Sequence, residues 1–324
     1  MRAVPGRLRV AVIDDYVGAA FASADFEPLT AVADVVTFED HVAEVEQLVL
    51  RLSGFHVVIA MRERTAFPAE VLRRLPDLAL LVTTGMANAS IDLDEARAQG
   101  VTVCGTAIVG SATQELIWAL IMSLARNVPG EDASIRAGGW QTRVGRELAG
   151  STLGLLGLGR LGGHIAGYAK AFDMRVIAWS EHLTSQRTDE LGVELVGKQE
   201  LFRRSDILSI HLRLSERTVG LVGARELELL GPDGLLVNTS RGPIVDETAL
   251  VTALRAGTIA GAALDVFDIE PLPAGHALRS TPNTVLTPHI GYASTTVYQR
   301  MYVDAIEDVL QWQKGTPVRV LNAE

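Results

Sequence analysis

Cysteine is almost absent from this sequence: Cys104 is the only one among 324 residues. A single thiol cannot form an intramolecular disulfide, and it cannot by itself build a cysteine-based metal cage. The histidines show no paired spacing that would indicate metal ligands. We therefore expect Cys104 to be a small buried apolar residue, and we expect no metal site.

The chain also lacks runs of Lys or Arg and long uncharged apolar runs. Its formal net charge of −10 argues against a broad nucleic-acid surface. No stretch approaches the length that spans a membrane. The first apolar run is interrupted by Asp14 and Asp15, which a secretory signal would not tolerate. We therefore expect a cytoplasmic protein that binds a small molecule and neither nucleic acid nor membrane.

The remaining composition, with 48% hydrophobic and 21% charged residues, is that of a globular protein long enough for two domains. Short apolar runs alternate with helical patterns, which predicts an α/β fold with parallel sheets. In the first part we predict strands at 8–13, 57–60 and 78–83, and helices at 42–52 and 69–75. A long apolar helix at 111–127 then leads into strands at 152–156, 175–179, 207–210, 234–238, 259–264 and 284–286, with helices at 160–172, 185–191, 199–204, 223–230 and 246–256.

A last predicted helix at 294–314 is expected to return to the first domain, and 318–321 to form a short extended tail. We therefore predict two doubly wound, Rossmann-like or flavodoxin-like parallel-sheet domains. The dinucleotide-binding domain covers 109–291, and the discontinuous substrate domain covers 1–108 and 292–324.

A glycine triplet follows the predicted strand at 152–156. Gly157 would permit a tight turn, Gly159 would let the backbone approach a pyrophosphate, and Gly162 would bring the next helix against the strand. The phosphates would then bind unpaired N–H groups at the helix start. Since glycine-rich turns are common, an α/β turn without a ligand is the alternative, but the flanking strands complete a βαβ unit and favour dinucleotide binding.

Three polar segments each follow a later apolar strand: 238–242, the stretch from 265 to 271, and 287–291. Ligands of open α/β sheets bind at the carboxyl ends of strands, so these segments are expected to converge. Arg241 can bind a carboxylate through two hydrogen bonds, His289 can transfer a proton near neutral pH, and Glu270 can orient His289. Each residue alone could be a surface or core residue; together they suit carbonyl reduction.

With these segments, the chain resembles the NAD(P)-dependent D-2-hydroxyacid dehydrogenases, which include D-3-phosphoglycerate dehydrogenases and glyoxylate/hydroxypyruvate reductases. The resemblance covers essentially the whole length. It is carried by Gly-Leu-Gly-Arg-Leu-Gly at 157–162, Asn-Thr-Ser-Arg-Gly at 238–242, Ala-Leu-Asp-Val-Phe-Asp-Ile-Glu-Pro-Leu-Pro at 263–273, Thr-Pro-His-Ile-Gly at 287–291, and Thr-Gly-Met-Ala-Asn at 84–88.

The resemblance implies a hydride transfer between a nicotinamide cofactor and a small 2-oxo acid or D-2-hydroxy acid. Arg241 would bind the substrate, His289 would give a proton to the carbonyl oxygen, and Glu270 would hydrogen-bond His289. Backbone amides around the substrate-binding residues Thr84, Gly85 and Met86 would hold the carboxylate. The implied cofactor-binding residues are Gly157, Gly159, Arg160, Leu161 and Gly162 at the pyrophosphate, Ser180 at the ribose, Leu212 and Arg213 at the adenosine, and Thr239, Ser240, Asp265, His289, Gly291 and Thr113 toward the nicotinamide.

The sequence does not decide whether the adenine ribose of the cofactor carries a 2′-phosphate, that is, whether the cofactor is NADP or NAD. Ser180 stands where many family members place an aspartate that binds the adenine ribose. Glu181 would repel a 2′-phosphate, and no Arg or Lys follows until Arg187, so NAD is favoured and NADP is the alternative.

Two further functions are compatible with the same motifs. The family's fold also serves dinucleotide-sensing corepressors without significant turnover, and phosphite or formate dehydrogenases belong to the same superfamily. Within the dehydrogenase interpretation, Arg62 and Arg64 either bind a phosphate-bearing substrate or are solvated.

The long helix at 111–127 carries the apolar stripe Leu116, Leu120, Ile121 and Leu124. We interpret this stripe as packing, although such a helix commonly contributes to a dimer interface in this family, and the resemblance implies a homodimer. Feedback control through a regulatory domain after Glu324 is not expected.

Overall fold

The computed structural model describes residues 6–323 and divides into two compact units. Unit 1 runs to Gly110 and resumes at Ala293, and unit 2 runs from Ser111 to Tyr292. Unit 1 contains a five-stranded sheet and unit 2 a seven-stranded sheet. All strand pairs in both sheets are parallel. The predicted α/β class with two parallel sheets is thereby confirmed.

Unit 1 has the strand order β2-β1-β3-β4-β5, that of a flavodoxin-like doubly wound sheet. Its strands are β1 Leu8–Ile13, β2 Ala33–Thr37, β3 Val57–Ala60, β4 Leu80–Thr83 and β5 Thr102–Gly105. Its helices are α1 Ala20–Ser23, α2 Glu27–Thr30, α3 Val45–Leu52, α4 Ala69–Arg73, α5 Leu93–Ala98 and α13 Thr295–Gln313. Strands β3 and β4 are buried throughout, as parallel strands covered on both faces must be. Helix α13 packs against α1, α2 and β4, so the last helix belongs to unit 1.

Unit 2 has the order β12-β11-β10-β9-β6-β7-β8, so the strand order reverses between β6 and β9. Its strands are β6 Thr152–Leu156, β7 Arg175–Trp179, β8 Glu194–Leu195, β9 Ile207–Ile210, β10 Leu235–Asn238, β11 Gly261–Leu264 and β12 Thr284–Leu286. Its helices are α6 Ala112–Arg126, α7 Val128–Arg136, α8 Arg160–Ala171, α9 Ser185–Glu190, α10 Lys198–Arg204, α11 Ala224–Leu230 and α12 Glu247–Ala256, with short 3₁₀ turns at Gly242–Ile244 and Ala277–Ser280. A doubly wound sheet binds dinucleotides where its strand order reverses.

The core of unit 2 lies on both faces of its sheet. One cluster includes Leu156, Leu208, Leu236 and Leu264, and the other contains alternate residues of the same strands together with helices α6 and α8. Leu116, Leu120, Ile121 and Leu124 of α6 all pack into this second cluster. The stripe on the linking helix is therefore core packing within its own unit, as interpreted from the sequence.

Several short elements were not predicted from the sequence: β2, β5, β8, α1, α2, α5 and α7. Strand β2 lies at a sheet edge, and its burial alternates, so its apolar run is weak. Strand β8 has only two residues, both exposed. Helix α7 buries none of its residues, so it has no apolar face for a periodicity to reveal.

Candidate active site

The glycine turn lies between β6 and α8, at the point where the strand order of unit 2 reverses. Gly157 has a φ of +106°, and a Cβ on it would lie 2.9 Å from the carbonyl oxygen of His211. A Cβ on Gly162 would lie 2.4 Å from the carbonyl oxygen of Gly157. These two positions therefore require glycine for conformation and for close helix packing, respectively.

Gly159 plays a different part in the same turn. It is the N-cap of α8 and supplies no capping side chain, and a Cβ on it would meet nothing within 4 Å. The first N–H groups of α8 therefore lie beside open space at Gly159, which has no side chain to obstruct them. This arrangement fits the pyrophosphate of a dinucleotide, which binds at helix N-termini. Arg160 and Leu161 are the first two residues of α8, as expected for residues beside a pyrophosphate.

His211 packs beneath this turn at the end of β9. Its amide donates to the carbonyl oxygen of Leu156 at 2.8 Å, which pairs the start of the turn with β9. Its Nε2 is buried and has no hydrogen-bond partner among the described residues. Burial lowers the pKa of His211 to about 4, so the ring is neutral at physiological pH. Residue type and spacing in the sequence do not single out this histidine.

The segment after β10 is fixed by its own side chains. Asn238 Nδ2 donates to the carbonyl oxygen of Arg241 at 3.0 Å, and its Oδ1 accepts from the amide of Ser240 at 3.0 Å. Ser240 Oγ donates to the carbonyl oxygen of Ile210 at 2.7 Å, and Thr239 lies between these anchors. A Cβ on Gly242 would lie 2.0 Å from the backbone of Phe267. The Arg241 turn is therefore pressed against the segment that leads to Glu270.

Asp265, at the end of β11, holds the loop that follows β12. Its carboxylate accepts hydrogen bonds from Thr287 Oγ1 at 2.6 Å, from the Ile290 amide at 2.8 Å and from the Gly291 amide at 2.8 Å. Burial raises the pKa of Asp265, while these three donors act in the opposite direction by favouring the carboxylate. Asp265 thus holds the backbone directly after His289 and the Thr287 side chain before it, a role that its position in the sequence did not reveal.

Glu270 and His289 lie in direct contact. Glu270 Oε2 and His289 Nδ1 are 2.6 Å apart, and Glu270 Oε1 accepts from the amide of Phe267 at 2.9 Å. Both side chains are partly exposed, at 29% for Glu270 and 20% for His289. His289 has a φ of +51°, a backbone conformation that non-glycine residues rarely adopt. The pair is therefore an oriented, solvent-accessible imidazole–carboxylate dyad, held in a strained loop as is common at functional sites.

The other residues expected in unit 2 surround these loops. Thr113 of α6 lies beside Gly291, where a Cβ would be 3.5 Å from the Thr113 methyl group. Ser180 follows β7, and Leu212 and Arg213 follow β9, so both segments leave the same sheet edge as the glycine turn. The carbonyl oxygen of Arg213 accepts from Thr218 Oγ1 at 2.9 Å.

The candidate substrate loop belongs to unit 1. Thr84 Oγ1 accepts from the Arg62 amide at 2.8 Å, and the Gly85 amide donates to Thr106 Oγ1 at 2.9 Å, whereas Met86 is half exposed. Gly85 has a φ of +127°, and a Cβ on it would lie 2.0 Å from Nη1 of Arg62. The predicted anion-binding amide of Gly85 is thus already hydrogen-bonded within the loop.

Arg62 and Arg64 are not solvated surface side chains. Arg62 Nη1 donates to the carbonyl oxygen of Thr84 at 3.1 Å, and Arg64 Nη1 donates to that of Asp14 at 2.7 Å. Arg64 also lies over the ring of Tyr16, 4.3 Å from its centroid. Both guanidinium groups therefore help to fix loops at the carboxyl edge of the unit 1 sheet.

Residues 118–291 match the model of the family described as D-isomer specific 2-hydroxyacid dehydrogenase, NAD binding domain. The chain belongs to this family. The resemblance drawn from the motifs is confirmed, and with it a hydroxyacid oxidoreductase class and a nicotinamide cofactor. The matched range contains the glycine turn, the Arg241 turn and the Glu270–His289 dyad.

Individual relatives agree with the family assignment. The chain is 40% identical over 266 residues to a glyoxylate reductase of Aeropyrum pernix, covering 79% of each. It is 33% identical over 280 residues to a D-3-phosphoglycerate dehydrogenase of Archaeoglobus fulgidus, covering 85% of this chain and 52% of the relative, so it spans about half the length of that protein. The crystal structure of a phosphoglycerate oxidoreductase from Vibrio cholerae O395 matches with a TM-score of 0.90 and 34% identity, covering 95% of this chain and 99% of the other.

Among the described residues, no helix is both long and apolar enough to cross a lipid bilayer. The same part of the chain contains no group of three or more His, Cys, Asp or Glu side chains that could hold a metal ion.

Proposed function

We propose that this chain reduces a small 2-oxo acid to a D-2-hydroxy acid, or carries out the reverse oxidation, with His289 as the proton donor and Arg241 as the substrate-binding cation. The observation that carries this proposal is the 2.6 Å contact between His289 Nδ1 and Glu270 Oε2 in a loop anchored by Asp265. Such a pair is built to hold and transfer a proton.

The geometry of the dyad determines which nitrogen of His289 carries the transferable proton. Because the Glu270 carboxylate accepts a hydrogen bond from Nδ1–H, the transferable proton of His289 is on Nε2. Reduction of a 2-oxo acid needs this proton at the carbonyl oxygen and a hydride at the adjacent carbon. A nicotinamide dinucleotide bound at the glycine turn would supply the hydride.

Arg241 suits the remaining task of binding the substrate anion. Its backbone is held by Asn238, and its Nη1 donates to the carbonyl oxygen of Ser240 at 2.7 Å. A guanidinium can hold a 2-oxo acid through paired hydrogen bonds while polarising the carbonyl. The family resemblance also implies carboxylate binding by backbone amides near Gly85 and Met86. Because the Gly85 amide already donates to Thr106 Oγ1 at 2.9 Å, we assign this role to the Met86 amide.

The relatives described above are named glyoxylate reductase and D-3-phosphoglycerate dehydrogenase, so the candidate substrates are small unphosphorylated and phosphorylated 2-oxo acids. We favour the small unphosphorylated acids, because Arg62 and Arg64 already hydrogen-bond carbonyl oxygens of unit 1. We also propose that the protein acts in the cytoplasm, as expected from the sequence, and as a homodimer, as the family resemblance implies. The sensor hypothesis is not favoured, since Arg241, Glu270 and His289 are all present.

The test is a spectrophotometric panel of glyoxylate, hydroxypyruvate, pyruvate, phenylpyruvate and branched 2-oxo acids with NADH and NADPH. Turnover of at least one acid is expected, and Arg241→Ala should abolish it while cofactor binding is nearly unchanged. Arg255→Ala, which removes an exposed arginine of α12, is the matched control. Cofactor binding without consumption across the panel would instead identify a sensor, and near wild-type turnover in Arg241→Ala would remove Arg241 from substrate binding.

A further inference from the structure

Arg187 is separated from the glycine turn by more than one element of the chain, yet its side chain lies on that turn. It belongs to the first turn of α9, where its amide donates to Thr184 Oγ1 at 3.3 Å. Its Nε donates to the carbonyl oxygen of Leu158, between Gly157 and Gly159, at 3.4 Å. The sequence alone gives this arginine no role, because it lies well beyond Ser180.

The other end of the guanidinium is directed toward α8. A Cβ on Gly163 would lie 3.3 Å from Nη2 of Arg187, so the cation lies against the first turn of the helix that begins the dinucleotide site. Its acidic partner is Glu190, at 3.3 Å from Nη1, and both side chains are about half exposed, at 41% and 52%. An exposed pair of this kind contributes little to stability, so a bound dianion would readily replace it.

Strand β7, which ends next to the expected ribose-binding residue Ser180, carries no acidic residue. Ser180, at the end of β7, presents a hydroxyl where an aspartate would exclude a 2′-phosphate. Glu181 is exposed, so solvent screens its charge. A second guanidinium approaches from the loop after β9, since Arg217 Nη1 lies 3.3 Å from Nε2 of His182.

We propose that Arg187 binds the 2′-phosphate of a phosphorylated nicotinamide dinucleotide, which makes NADP(H) the preferred cofactor. The inference rests on the proposed function, because it assumes that the glycine turn binds a dinucleotide. A guanidinium that lies between the carbonyl of Leu158 and the first turn of α8 is within reach of an anion on the adenosine ribose. It offers the planar donors that phosphate accepts in pairs.

Binding of the adenosine half alone tests this without turnover. Isothermal titration calorimetry would compare 2′,5′-ADP, which carries the ribose phosphate, with 5′-ADP, which lacks it. The wild-type protein is expected to bind 2′,5′-ADP at least tenfold more tightly. Arg187→Gln should remove most of that preference and leave the affinity for 5′-ADP within about twofold. Arg203→Gln, which changes an exposed arginine of α10, serves as the matched control and should keep the preference.

The outcomes separate this inference from the proposed function. If 5′-ADP binds as tightly as 2′,5′-ADP, or if Arg187→Gln weakens both ligands equally, the arginine only supports the turn and the inference is overturned. If neither nucleotide binds and the substrate panel shows no turnover, the dinucleotide site itself is wrong. The ratio of kcat/KM for NADPH and NADH should fall in Arg187→Gln in parallel with the calorimetric preference.

Discussion

At the scale of single residues, His289 has an unusual backbone and a well-defined side chain. A left-handed conformation in a residue other than glycine costs about 1–3 kcal/mol, which the surrounding structure must offset. The offset comes from Asp265, whose carboxylate accepts the amides of Ile290 and Gly291. The imidazole therefore faces Glu270 because a buried anion one strand away fixes the main chain, and the dyad does not depend on its own contact alone.

His289→Asn is the direct test of the proton donor. Asparagine tolerates a left-handed backbone, so this change removes the imidazole while keeping the loop conformation. Turnover should fall by about 10²- to 10⁴-fold, the usual contribution of general acid catalysis, with little change in cofactor affinity. Steady-state kinetics on the accepted 2-oxo acid measures this.

Unit 2 provides a matched control for that variant. His276 Nε2 lies 3.1 Å from Glu247 Oε2, so it forms a second histidine–glutamate pair. His276→Asn should leave kcat within about twofold, because asparagine can also accept the Leu278 amide that His276 Nδ1 accepts, and His276 has no part in the proposed proton transfer. Equal losses in both variants would show that any imidazole–carboxylate pair in unit 2 matters only for stability.

At the scale of elements, helix α8 of the βαβ unit contains two glycines with opposite surroundings. Gly162 faces the turn, and a Cβ there would lie 2.4 Å from a backbone oxygen, which cannot move without opening the turn. Gly167, in the next turn of the same helix, has nothing within 4 Å of its Cβ position and is exposed. Alanine at Gly167 therefore tests helix propensity alone, whereas alanine at Gly162 also tests how closely α8 packs against the turn.

Gly162→Ala should weaken the binding of NADH and NADPH by at least about tenfold, because the start of α8 must shift away from the phosphates. Gly167→Ala should bind both cofactors normally and raise stability by about 0.5–1 kcal/mol, since alanine is the better helix former. Titration by cofactor fluorescence, together with urea unfolding, measures both effects. Normal cofactor binding in Gly162→Ala would contradict the assignment of the turn.

The elements also show how far sequence reasoning reaches. Strands β6, β7 and β9 are mostly apolar, and the structure has them at the predicted residues because buried parallel strands leave few alternatives. Helix α7 could not be predicted, since it buries none of its residues and contains Pro and Gly. A helix that packs no apolar face leaves no helical periodicity of apolar residues in the sequence.

The contacts of the candidate site likewise divide into those expected before the structure and those that only the structure shows. The family resemblance implied that Glu270 would hydrogen-bond His289, and the expected convergence of adjacent strand ends agrees with this contact. The anchoring of the His289 loop by Asp265, the buried ring of His211 and the reach of Arg187 to Leu158 were not predicted. Each of these depends on a side-chain direction or on a contact between distant positions, which residue type and spacing do not encode.

At the scale of the whole molecule, two buried titratable groups give the two units opposite responses to acid. In unit 2, burial lowers the pKa of His211 to about 4. Between pH 6.5 and 4 the unfolded chain therefore binds a proton that the folded unit does not, so unit 2 loses stability as the pH falls. In unit 1, burial raises the pKa of Asp308 to about 7, opposed by Arg319. There the folded unit binds the proton that the unfolded chain does not, so unit 1 gains stability over the same range.

The surroundings of Asp308 explain why its pKa is raised. The side chain is fully buried on α13; Oδ1 accepts from Arg319 Nε at 3.0 Å, and Oδ2 has no hydrogen-bond partner among the described residues. Arg319 also pairs with Asp304 and Glu307, so its charge is shared among three carboxylates. One guanidinium therefore does not fully compensate the desolvation of Asp308.

Asp308→Asn should stabilise unit 1, and by an amount that grows with pH. Asparagine keeps an oxygen for Arg319 and removes the buried charge, so variant and wild type should be nearly equal in stability near pH 4. As the pH rises, the wild type loses stability because the folded unit must release a proton that the unfolded chain released near pH 4. The advantage of the variant should increase by about 3 kcal/mol between pH 4.5 and 8. Urea unfolding across that range measures it, with Asp77→Asn, which changes an exposed aspartate of unit 1, as the control. A pH-independent difference in Asp308→Asn would show that Arg319 keeps the carboxylate ionised throughout.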